Sequence, residues 1–242
     1  MKYFDSYITE IFERSYPWRL FVSGGNEEDY RFDAVRLAGT DRWIPDPGPS
    51  FTPGVPRSIA TTDRMQQDYR KSNPGIRQRI VVTFTQHHGT TAYEGMRRIN
   101  RGLARANFSA EIKPPKITLP VFESLWELGF ATYIDTDGSG YDQGTDDDIG
   151  ADNTAHTTRI FGTIIEIVKS FTARKKPQGI FWGTKVNARA ARAVIYNGIA
   201  RRISGDLQAK LYDMPSPRPE MTNVKLAWFG EGVPFHATKN PK

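Results

Sequence analysis

The chain has 242 residues, with 33 Lys+Arg against 27 Asp+Glu and no cysteine. That length can bury a substantial core, and 38% hydrophobic with 25% charged residues marks a globular chain rather than a disordered one. Without cysteine there are no disulfides, thiolate metal sites, iron–sulfur clusters or cysteine nucleophiles; the formal charge of +6 permits a nucleic-acid partner without requiring one.

Phe4, Tyr7, Ile8, Ile11 and Phe12 recur at helical spacing, which predicts an amphipathic helix over 2–14 that stops before Pro17. Asp5, Glu10 and Glu13 interrupt this segment, so no secretory leader is expected. Residues 18–22 and 30–37 read as two strands joined by the turn Ser23-Gly24-Gly25-Asn26. In YRFDAVRL apolar and polar residues alternate, which buries one face. Five prolines within 44–58 exclude a helix or central strand there and predict an extended arm. Residues 80–85 form a strand, and 91–107 a second amphipathic helix carrying Tyr93, Met96, Ile99 and Leu103 on one face.

Residues 130–134 read as a strand that leads into an acidic, glycine-rich loop over 135–153. A long helix over 157–175 turns Ile160, Phe161, Ile164, Ile167, Val168 and Phe171 inward and ends in Arg174, Lys175 and Lys176 before Pro177. A short buried strand over 179–183 follows, then a helix over 186–203 with Ala188, Ala191, Ile195 and Ile199 inward and Gly205 as its stop. Residues 207–212 and 224–229 are further candidate strands. The alternation predicts an α/β (α+β) fold, a mixed sheet flanked by helices, in a single domain over 1–242. A proline-rich arm over 40–79 and a C-terminal extension over 213–242 would be built onto it. No segment reaches the roughly 20 apolar residues that a membrane span needs.

Two local patterns suggest binding chemistry. Asp135, Asp137, Ser139, Gly140 and Asp146 occupy positions one, three, five, six and twelve of a calcium loop, where hard oxygens alternate around a sharp turn. A solvated acidic turn has the same composition. Between Lys169 and Lys210 ten basic residues face a single acid, Asp206; this strip could follow phosphates or serve as the solvated face of two helices. Imidazole chemistry is limited to His87, His88, His156 and His236, and no phosphate-binding loop, nucleophile elbow or metalloprotease motif is present.

The opening MKYFDSYITEIFERSYPWRL and the stretch over 153–206 resemble a family of tailed-bacteriophage proteins, the later stretch through Arg189, Arg192, Tyr196, Ile199 and Arg202. The C-terminal half, over 130–212, also resembles the core of the GNAT N-acetyltransferase superfamily. There a strand, a pyrophosphate-binding turn, a helix, a strand and a second helix with an Asn and a Tyr follow in order. The resemblance places the turn at 150–155 and the later pair at Asn187 and Tyr196. Asp146, Asp147, Asp148 and Asp152 put like charge beside any pyrophosphate there, which favours a fold kept without its activity.

The expectation is therefore a phage-encoded, virion-associated structural or interaction protein, made in the host cytoplasm, with a degenerate acetyltransferase-like core and no catalysis. Its partners would be other virion proteins or its own copies, met through the arms, and no cofactor is expected. One alternative is an acetyl-CoA-dependent N-acetyltransferase, with Asn153, Thr154 and Ala155 at the pyrophosphate and Tyr196 protonating the leaving thiolate. Another is a nucleic-acid binder using Lys185, Arg189, Arg192, Arg201 and Arg202. Calcium on Asp135, Asp137, Ser139 and Asp146 is the remaining ligand alternative.

Overall fold

The computed structural model describes residues 15–46, 48, 59–87, 125–137, 140–143, 154–185, 190–214, 221–230 and 238–239. The expected helices over 2–14 and 91–107 lie outside the described residues. Among the described residues there are ten strands: β1 (Arg19–Gly24), β2 (Glu27–Leu37), β3 (Trp43–Pro45), β4 (Gly75–His87), β5 (Leu125–Asp135), β6 (Asp142–Gln143), β7 (Gly179–Lys185), β8 (Lys210–Met214), β9 (Met221–Trp228) and β10 (Thr238–Lys239). Three helices accompany them: α1 (Ile59–Ser72), α2 (Thr154–Lys175) and α3 (Ala190–Asp206). The fold is mixed α/β. The strands run in the order β1-β2-β4-β5-β7-β9-β8-β10, with β3 on β2 and β6 on β5. β5 pairs parallel with β7 through Leu125–Gly179, Trp126–Ile180 and Glu127–Phe181, whereas β7–β9 and β9–β8 are antiparallel.

The chain groups into two compact units. The first comprises Met1–Phe21, Asp29–Val82 and Phe130–Ile164; the second comprises Val22–Glu28, Thr83–Gly129 and Ile165–Lys242. In the first unit β2 alternates as its sequence predicts. Tyr30, Phe32 and Ala34 are buried, while Arg31 and Asp33 sit half-buried between them. Ile80 and Val82 of β4 and Ile160, Phe161 and Ile164 of α2 complete that apolar core. In the second unit Phe171 stacks on Phe84 at 3.8 Å and meets Trp126 edge-on at 5.0 Å. α3 packs on β7, β8 and β9 there and buries Ile199 and Ile203. Gly179 opens β7 because a Cβ would lie 3.0 Å from the Trp228 ring and 3.1 Å from Leu125.

The structure refines the sequence expectations in three places. Within the expected arm over 40–79, residues 59–72 are helix α1 and 75–79 begin β4. Within the expected C-terminal extension, the candidate strand over 224–229 is β9, which lies between β7 and β8 and buries Val224, Leu226, Ala227 and Trp228. Gly205 does not stop α3, which runs to Asp206. The left-handed residue is Gln208, at φ 53°. Its N–H donates to the Gly205 carbonyl at 3.4 Å and the Ala209 N–H to the Ser204 carbonyl at 3.0 Å, the paired bonds of a Schellman cap. No helix is long and apolar enough to cross a membrane among the described residues.

Candidate functional site

The first turn of α2 carries His156 into the first unit, where it is 3% exposed. Its Nε2 lies 2.5 Å from Gln78 Oε1 on β4, and its Nδ1 lies 2.8 Å from the Tyr16 hydroxyl. The Gln78 carbonyl oxygen can only accept, so Nε2 carries the proton and Nδ1 accepts from Tyr16. Trp43 of β3 stacks flat on the imidazole at 4.0 Å, with 2° between the planes. The Tyr16 backbone N–H donates to Thr163 Oγ1 at 2.7 Å, and the Arg159 guanidinium lies 4.2 Å above the Tyr16 ring. Burial, aided by the Arg159 charge, pushes His156 down to about 3. Burial also raises the Tyr16 phenol to about 12 against the pull of Arg159. Both ring nitrogens are therefore committed, and the imidazole stays neutral as a clamp between α2, β4 and the entry to β1.

The odd-numbered positions of β2 and β4 build a second cluster in the same unit. Asp33 accepts from Arg79 Nε at 2.8 Å on Oδ1 and from Arg31 Nη2 at 3.1 Å on Oδ2. Arg79 lies 3.9 Å from the centre of the Tyr141 ring. Asp46 accepts from Arg77 Nε at 3.1 Å and from the Tyr69 hydroxyl at 2.8 Å. Arg70 of α1 pairs with Asp135, 3.4 Å apart, at the end of β5. Burial lowers the proton affinity of Arg31, with Asp33 opposing it. Burial and then Asp33 push Tyr141 up to about 12, and burial and then the Asp46 hydrogen bond do the same to Tyr69.

In the second unit the buried Glu28 carboxylate is held by Arg174 and by Lys175, whose Nζ is 2.9 Å away, at the C-terminal end of α2. Burial would raise this carboxyl, but hydrogen bonds and charge from Arg174 and Lys175 bring it to about 2. The same two cations complement the helix dipole.

Of the expected calcium ligands, Asp135 ends β5 in its ion pair with Arg70 and Asp137 is exposed; Ser139 and Asp146 lie outside the described residues. Among the described residues no three His, Asp or Glu side chains are grouped to hold a metal. Of the acetyl-CoA residues, Asn153 lies outside the described residues, as do the side chains of Thr154 and Tyr196, and Ala155 is exposed in the first turn of α2. Of the basic strip, Arg201 is exposed and Arg202 pairs with Asp206 at 3.0 Å; the Lys185 and Arg192 side chains and Arg189 lie outside the described residues. Lys169 also pairs with Asp206, at 2.8 Å, and Arg174 and Lys175 with Glu28, so part of the strip is neutralised within its own unit. Sequence reasoning missed Tyr16, Gln78 and Trp43 as partners of His156, because none of the three is near it in the chain. The alternation of β2 signalled the Arg31–Asp33 face and not its contacts. In comparisons with known proteins, no protein family, curated protein or solved structure matches the chain.

Proposed function

We propose that the chain is a phage-encoded structural and interaction protein, carried in the virion and built on an acetyltransferase-like frame without catalysis. The run β5–α2–β7–α3, with β5 and β7 parallel, supports that frame: it is the strand–helix–strand–helix order that the resemblance implies. The observation that carries the non-catalytic role is the first turn of α2. An acyl-CoA pyrophosphate would need bare backbone N–H groups and positive charge there. His156 turns inward from that turn to Tyr16 and Gln78 and stays neutral, so it supplies no positive charge there.

The test is mass spectrometry of purified particles of the encoding phage. Recovery of the chain in many copies per particle is expected, and its absence from particles would overturn the virion role. Calorimetric titration with acetyl-CoA is expected to give no heat; saturable binding would overturn the non-catalytic assignment and favour the N-acetyltransferase.

A further inference from the structure

Helix α1 is held differently from the other two helices. From Arg64 to Ser72 none of its side chains is buried, and Met65 and Tyr69, the only apolar or aromatic ones in that stretch, are half-buried. In the same unit α2 buries Ile160, Phe161 and Ile164, and α3 buries Ile199 and Ile203 in the other. The described anchors of α1 are polar. The Tyr69 hydroxyl donates to Asp46 at 2.8 Å, and Arg70 pairs with Asp135 at 3.4 Å. The Arg70 guanidinium also lies 5.0 Å from the centre of the Tyr141 ring. Both carboxylates lie deeper than the groups that reach them: the Asp46 side chain is 5% exposed and that of Asp135 is fully buried. Tyr69 in turn roofs the buried Arg77, whose guanidinium lies 5.5 Å from the centre of its ring. All of these residues belong to the first unit.

We propose that α1 is a lid over Arg77, which lets go as one piece while the apolar core of the first unit stays folded. Its release exposes little apolar surface, and water takes over the hydrogen bond and the ion pair that it gives up, so it opens at lower cost than the core beneath. Asp135 and Arg70 both meet water in the open state, so neither is left as a stranded buried charge. The chain that follows the lid is fixed separately. The Asn73 carbonyl accepts from Arg77 Nη2, and a Cβ at Gly75 would lie 2.6 Å from the Arg36 carbonyl oxygen. β4 therefore keeps its place against β2 when the helix before it is released. Opening uncovers the Arg77 guanidinium, still paired with Asp46 at 3.1 Å. The lid stands independently of the virion role proposed above, because it rests on the contacts of α1 alone.

Native-state hydrogen exchange, read by mass spectrometry at a series of low urea concentrations, tests the lid. The urea dependence of an opening follows the surface it exposes. Exchange over α1 is therefore expected to be nearly independent of urea, whereas exchange over β4 follows the steep dependence of global unfolding. Tyr69→Ala combined with Arg70→Ala removes both anchors and is expected to leave α1 unprotected with β4 still protected. Phenylglyoxal, which modifies accessible guanidinium groups, gives a side-chain reading of the same event. Arg77 is expected to react about tenfold faster in the double variant than in the parent chain, the factor that matches one lost hydrogen bond to a charged group. A single urea dependence shared by α1 and β4 would overturn the proposal. So would loss of protection over β4 in the double variant, or unchanged reactivity of Arg77.

Discussion

The two faces of β2 and β4 in the first unit are finished by opposite means. On one face Tyr30, Phe32, Ala34, Ile80 and Val82 pack with the apolar stripe of α2. On the other, Arg31, Asp33, Arg77 and Arg79 are matched by Asp46, Tyr69 and Tyr141. Apolar packing is additive over many weak contacts and tolerates changes of shape. A buried ionic layer depends on pairwise matches, and removing one partner strands the other. In the first unit these strands thus have one face held by filled volume and one held by matched charges.

The largest way to break this arrangement is on the apolar side. Phe32→Ala removes a 2%-exposed ring stacked on Tyr16 and is expected to lower unfolding free energy by roughly 3–5 kcal/mol in urea titration. On the ionic side, Asp46→Ala leaves the Arg77 guanidinium buried without its carboxylate, an expected loss of about 3 kcal/mol. The two faces are told apart by the double change Arg77→Met with Asp46→Leu, which is expected to recover most of that loss. No second substitution should rescue Phe32→Ala so fully.

Acid sharpens the comparison. His156 titrates at about 3 in the folded chain, below its ordinary 6.5, so the unfolded chain takes up the proton first. Its contribution is complete above pH 6.5 and is lost as pH falls from 6.5 towards 3, by up to about 1.4 kcal/mol per pH unit. Glu28, lowered from 4.5 to about 2, adds a second loss between those values. Urea midpoints measured down this range should fall from pH 6.5 onward, and His156→Gln should flatten the upper part of the curve. The smallest expected effect is a gain: Gln208→Gly relieves a left-handed backbone and should raise stability by about 0.5–1 kcal/mol in thermal unfolding.

The same contrast explains what the sequence made legible. The stripe Ile160, Phe161, Ile164, Ile167, Val168 and Phe171 is periodic and buried along its whole length, so α2 could be read directly. α1 could not, because IATTDRMQQDYRKS carries no comparable stripe and its fastening residues, Tyr69 and Arg70, bond to Asp46 and Asp135 far along the chain. Gly205 looked like a helix stop by residue type, but the cap bonds fall on Gln208 and Ala209. The placement of β9 between β7 and β8 is a non-local choice that no window of sequence records. At the site, His156 could be named as one of four imidazoles, but its neutral state depends on Tyr16, Gln78 and Trp43 arriving from three separate segments.

The stack of Trp43 on His156 also provides an optical reporter that needs no label. A protonated imidazole quenches indole emission by accepting an excited-state electron, whereas a neutral one quenches it little. While the clamp holds, Trp43 emission should stay constant through the pH at which a free histidine titrates. When the first unit opens in acid, the indole is released to water and its emission shifts to longer wavelength. Because the chain has five tryptophans, the difference between its emission and that of a Trp43→Phe variant would then follow the opening of the first unit.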